Sequence, residues 1–99
     1  MTKLASDNEW TDHVGGPIAW REAGEGSPVV FLHGLGGTRG AWGPQLRALH
    51  QHRRCIAWDM PGYGDSAALS PLTYRAIADS LVQFLDRLDI AQADLVGLS

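Results

Sequence analysis

Three glycine-bearing segments hold the residues whose types and spacing could do chemistry. The first is Gly97, Leu98, Ser99, which follows the apolar pair Leu95 and Val96. A serine on a sharp turn at the end of a strand holds its hydroxyl clear of the sheet, and glycine two positions earlier leaves room for the crowded backbone. This is the first half of a Gly-x-Ser-x-Gly nucleophile turn. The alternative is a serine that opens an ordinary turn. The second segment is His33, Gly34, Leu35, Gly36, Gly37, directly after Pro28 to Leu32. Its glycines permit a tight bend and close approach of a ligand, so a backbone N–H, that of Leu35 by choice, can be aimed at a developing oxyanion. A purely structural turn is the alternative there. The third is Asp59, Met60, Pro61, Gly62, Tyr63, Gly64, Asp65, Ser66, after Cys55 to Trp58. Pro61 fixes one dihedral, the glycines allow reversals and Asp59 can accept backbone N–H bonds, so this loop reads as architecture.

Each segment needs a strand to deliver it. Pro28 to Leu32 and Cys55 to Trp58 are continuous apolar runs of the kind buried on both faces of a parallel sheet, and Asp94 to Leu98 makes the last strand. Two short strands, around Glu9 to His13 and Ile18 to Glu22, flank Val14 to Pro17 and read as an opening hairpin. Between the buried strands, Trp42, Leu46 and Leu49 are spaced for a short amphipathic helix over Gly40 to His50, with Pro44 tolerated only in its first turn. From the N-cap Thr73, the residues Tyr74, Ile77, Ala78, Leu81, Leu85 and Leu88 repeat at helical spacing and predict a long helix with one face on the sheet. A hairpin followed by alternating strands and helices predicts an α/β architecture, a mostly parallel sheet entered through an antiparallel edge.

Composition narrows the function classes. A hydrophobic share of 44% and a charged share of 19% fit a folded globular chain. The net charge of -3, with Arg53 and Arg54 the sole adjacent basic pair, argues against a nucleic-acid surface. No apolar stretch reaches membrane-spanning or signal-peptide length, so no membrane partner is expected and the reading is cytoplasmic. Cys55 is the single cysteine and lies in an apolar run, which predicts a buried, inert thiol. His50 and His52 form a His-x-His pair without a third ligand, so no metal site is expected. Trp42, shortly after the second glycine segment, either lines a substrate pocket or fills the core. The 99 residues fall below the roughly 200 to 250 that large α/β domains occupy, and the chain closes on a strand-like run. The expectation is the N-terminal portion of one domain, residues 1–99, with the last strand left uncovered.

In this order, each at the carboxyl end of a strand, HisGlyLeuGlyGly, AspMetProGlyTyrGlyAspSer and ValGlyLeuSer closely resemble the α/β-hydrolase superfamily, from about residue 17 to residue 99. Within it the chain looks most like the serine-nucleophile group of enol-lactone hydrolases, small carboxylesterases, carbon–carbon bond hydrolases and cofactor-free haloperoxidases. Serine at 99 separates it from the similar haloalkane dehalogenases and epoxide hydrolases, which use aspartate. The resemblance implies Ser99 as nucleophile, Leu35 N–H in the oxyanion hole, and His33, Gly34 and Gly36 as support for that loop. It implies a small ester or lactone substrate and no metal or organic cofactor. The triad runs from serine to acid to histidine, so acid and histidine would come from a C-terminal segment of the same domain. His13, His33, His50 and His52 are then not the general base.

Two other classes compete. Gly34, Gly36 and Asp59 sketch a dinucleotide-binding unit, but the third glycine of that fingerprint would fall at Arg39, and His33 and Pro44 also fit it badly. A non-catalytic ligand-binding protein on the same fold remains open, because a fold does not fix a function.

Overall fold

The apolar run Pro28–Leu32 forms β3 at the heart of a five-stranded sheet. In the computed structural model, which describes residues 10–98, it is flanked by β4 (Arg54–Trp58) on one side and β5 (Asp94–Gly97) on the other, both parallel to it. The hairpin strands β1 (Thr11–His13) and β2 (Trp20–Ala23) continue the sheet antiparallel beyond β4, giving the order β1-β2-β4-β3-β5. The α/β architecture with an antiparallel N-terminal hairpin is therefore as expected. Glu9, placed by pattern in the first strand, and Ser99 lie outside the described residues.

Side-chain alternation along β3 divides the core. Val29 and Phe31 point to one face, where Cys55, Ala57, Trp42 and Leu46 pack; Val30 points to the other, with Ile56, Trp58, Phe84 and Ile90. Leu46 belongs to α1 (Gly43–Leu49) and Phe84 to α2 (Tyr74–Arg87), so the two helices cover opposite faces. Right-handed crossovers require this, because the chain steps from β3 to β4 in one direction and then returns past β3 to β5. The loops after the adjacent parallel strands β3 and β4 thus leave toward opposite faces, the place where open α/β sheets bind ligands.

Local differences from the pattern have physical causes. The stretch Gly40 to His50 is not one helix but a 3₁₀ turn, Arg39–Trp42, followed by α1. Pro44 has no N–H to bond the carbonyl four residues back, so an α-helix cannot run through it. In α2, capped by Thr73 Oγ1 accepting from Ala76 N–H at 3.0 Å, the fully buried residue is Phe84, while Tyr74 and Ala78 are exposed. Tyr74 sits in the first helical turn, and Ala78 faces out from the flank of the stripe. Burying Phe84 contributes about 1.5 to 3 kcal/mol. At the other end, β5 is the outermost strand of the described sheet, with Leu95 and Val96 exposed.

Candidate active site

The HisGlyLeuGlyGly segment is a type II turn. Gly37 N–H donates to Gly34 carbonyl at 3.0 Å, and Gly36 takes the positive φ of 79° that the third position of such a turn demands. Leu35 is its tip, 87% exposed, and its N–H donates to no group among the described residues. His33 is buried beneath. Its Nε2 accepts from Met60 N–H at 3.0 Å, which leaves Nδ1 to carry the proton and donate to Gly34 carbonyl at 2.9 Å. With both ring nitrogens engaged, His33 joins the loops after β3 and β4. The rings of His33 and Tyr63 also lie 5.3 Å apart.

Asp59 is wholly buried at the mouth of the β4 loop. Its Oδ2 accepts from Asp65 N–H at 2.9 Å, its Oδ1 from Arg39 N–H at 2.6 Å, and the Arg39 guanidinium pairs with it directly. Arg39 also reaches Asp65 at 3.0 Å and Asp12 at 3.2 Å. Partial burial, which alone would lower the pKa of Arg39, is outweighed by its bonds to Asp65, Asp59 and Asp12, which raise it. Hydrogen bonds from Arg21 above all, and also from Arg39, hold the Asp12 carboxyl below the usual carboxylate range against partial desolvation. The acceptor role of Asp59 was legible in sequence; its cation was not. The available signal was that a carboxylate set directly after a buried strand needs a charge partner, and Arg39 ends the neighbouring loop.

The loops enclose a hollow of about 330 Å³ lined by His33, Gly34, Leu35, Met60, Tyr74 and Leu98. A second of like volume shares the Leu35, Met60 and Tyr74 wall and extends over Tyr63, Leu72, Thr73 and Ile77. Neither lining contains an aspartate, glutamate, lysine or arginine. The structure thus brings together His33, Gly34, Leu35 and Leu98, the residue before Ser99. Trp42 does not join them. It is a core residue, buried with its ring 5.0 Å from Phe31 on the α1 face, because the 3₁₀ turn rotates it inward; the pocket alternative is corrected accordingly. Cys55 is buried as expected, and desolvation pushes its thiol pKa up, against the opposing charge of Arg53. Among the described residues no cluster of His, Cys, Asp or Glu could hold a metal ion, and no helix is long and apolar enough to cross a membrane.

Comparison with known proteins decides the family. A family profile described as the alpha/beta hydrolase fold matches residues 27–99. The chain belongs to the α/β-hydrolase family. It is 42% identical over 90 residues to a dihydrolipoyllysine-residue acetyltransferase component of an acetoin cleaving system from Pseudomonas putida, covering 87% of this chain and 24% of that protein. A 3-oxoadipate enol-lactonase from Acinetobacter baylyi is 33% identical over 71 residues, 72% of this chain and 27% of the relative. Among solved structures, an epoxide hydrolase from Vigna radiata superposes with a TM-score of 0.83 at 31% identity, over 90% of this chain and 32% of that one. The chain therefore spans about a quarter to a third of the length of these α/β-hydrolase relatives. Against the dinucleotide alternative, the Asp59 carboxylate is consumed inside the protein and faces no ribose site.

Proposed function

We propose that the full-length protein is a serine hydrolase of small esters or lactones, and that residues 1–99 are the N-terminal portion of its single catalytic domain. Ser99 Oγ attacks the carbonyl carbon as a histidine from beyond residue 99, steadied by an acid from the same segment, takes its proton. Leu35 N–H donates to the oxyanion that forms. On collapse the histidine returns its proton to the leaving oxygen, which departs as the alcohol or opens the lactone and leaves an acyl-serine. The neutral histidine then takes a proton from the attacking water and passes it to Ser99 Oγ as the acid is released. His33, Gly34 and Gly36 hold the donor loop. No cofactor takes part, and the location is cytoplasmic.

One observation carries this reading. The exposed Leu35 tip and Leu98, neighbour of Ser99, line one hollow at the carboxyl ends of the parallel strands β3 and β5. The enol-lactonase relative supports the substrate class. Serine at 99 argues against the aspartate chemistry of the epoxide hydrolases, whose likeness supports the fold.

Fluorophosphonate labelling of the full-length protein, followed by peptide mass mapping, should place the label on Ser99. Ser99→Ala should lower aryl acetate hydrolysis by at least about a thousandfold. Labelling elsewhere, or hydrolysis unchanged in the variant, overturns the assignment. Assay of an aryl acetate, a butenolide and a vinylogous diketone separates ester and lactone hydrolysis from carbon–carbon bond cleavage, the runner-up. The acetyltransferase name of the Pseudomonas putida relative favours a second reading, delivery of the acyl group to a thiol instead of water. A thioester product that outcompetes free acid when a millimolar thiol is added would select it.

A further inference from the structure

We propose that Arg39 is a positioning residue for the oxyanion loop: it fixes the far end of the loop whose near end His33 fixes, and so sets where Leu35 N–H stands. The inference rests on the role read for Leu35 above. Between the two anchors, residues 34–38 make one internal backbone tie, Gly37 N–H to Gly34 carbonyl. At the near end His33 holds Met60 N–H, and at the far end Arg39 holds Asp59 twice, through its backbone N–H and its guanidinium. Both anchors land on the same β4 loop, two positions that are neighbours in sequence. The Leu35 tip is therefore a short span pinned at both ends to one support.

The geometry excludes other uses of Arg39. Its guanidinium is shared among Asp59, Asp65 and Asp12, drawn from the β4 loop and β1, and the side chain is 15% exposed. A cation so committed has no capacity to recognise an anionic substrate. Nor is it a plain surface ion pair, because Asp59 is wholly buried and its pairing requires one geometry. Thr38 Oγ1, accepting from Gly40 N–H at 3.2 Å, and Thr38 carbonyl, accepting from Ala41 N–H at 3.0 Å, fix the backbone just before and after Arg39. A displacement at Arg39 is thus passed to the loop and not absorbed locally.

The test uses the full-length protein, with competent sites counted by stoichiometric fluorophosphonate labelling. Arg39→Gln should lower kcat per labelled site on an aryl acetate by about tenfold or more, with KM changed less than about twofold, since misplacing a donor by about an ångström acts on the transition state. A trifluoromethyl ketone, which forms the oxyanion, should lose affinity in parallel, while the product acid should not. Arg39→Lys should recover part of the loss. Asp65→Asn, at an exposed partner that tolerates substitution, should give a smaller fall of about two- to threefold in the same parameter. If both Arg39→Gln and Asp65→Asn retain kcat per labelled site, and lose only thermal stability or labelled fraction, Arg39 is structural and the proposal fails. Absence of labelling in the unaltered protein sinks the serine reading itself, and this inference with it.

Discussion

The loops after β3 and β4 begin alike and end as opposites. Both follow buried parallel strands, both are rich in glycine, and both lie at the carboxyl edge of the sheet. The first holds a leucine tip out toward the hollow, whereas the second folds over a carboxylate with no solvent exposure. Glycine serves display in one and enclosure in the other. Gly36, with φ of 79°, has open space where a Cβ would stand; Gly64, with φ of 52°, has the Asp59 carboxylate there. Under the role proposed for Leu35, the display loop has to present a backbone N–H from a rigid base, and the enclosed loop would serve as that base.

Removing the enclosed charge breaks this contrast most sharply. Asp59→Ala leaves Arg39 N–H and Asp65 N–H without their acceptor and weakens the join between the two loops, which then rests on His33 with Met60 N–H and on Arg39 with Asp65. The expected loss is about 3 kcal/mol of unfolding free energy, near the lower bound for severing a buried ion pair because Arg39 keeps Asp12 and Asp65. Urea denaturation of the full-length protein reads it, and a loss below about 1 kcal/mol would show that the base does not depend on the carboxylate. Gly64→Ala comes next. It combines a left-handed backbone with direct overlap of a buried group, so a cost of about 1 to 3 kcal/mol is expected.

Gly36→Ala sharpens the comparison from the display side. It meets no neighbour, so the penalty is limited to the left-handed conformation, about 1 kcal/mol. Turn strain at the tip should nevertheless lower kcat more than Gly64→Ala does for equal destabilisation. Equal losses of kcat in the two variants would mean that the tip has no separate role.

This contrast also marks what sequence could disclose. Apolar runs at Val29 to Phe31 and Ile56 to Trp58, and the stripe at Ile77, Leu81 and Leu85, encode burial through short-range periodicity, and they appear where the pattern puts them. The glycine segments are equally legible, since each needs a strand before it. Periodicity also enrolled Tyr74 and Ala78, which are exposed, because a helix outruns and flanks the sheet it packs on. The pairing of Arg39 with Asp59 spans 20 residues and depends on β3 and β4 lying side by side, a fact of sheet order that no local pattern contains. Read along the chain, Arg39 was only the residue that spoiled a nucleotide fingerprint.

The outer rim of the network gives the smallest and most specific test, through pH. Asp12 has a folded pKa below its ordinary value, held there chiefly by Arg21, whose Nε lies 2.7 Å away, and by Arg39. A carboxylate with a depressed pKa binds protons more readily unfolded than folded, so its stabilisation is present above the unfolded value of about 3.9 and is lost as pH falls through the folded value. Asp12→Asn should therefore be less stable than the parent at pH 7, and the gap should close below about pH 4. Because the Asp12 side chain is 36% exposed, solvent screening keeps that gap under about 1 kcal/mol. Urea denaturation of both proteins between pH 7 and pH 3 measures it. A gap that stays constant would mean the asparagine acts through packing or an amide contact instead of charge, and would detach β1 from the electrostatic base of the display loop.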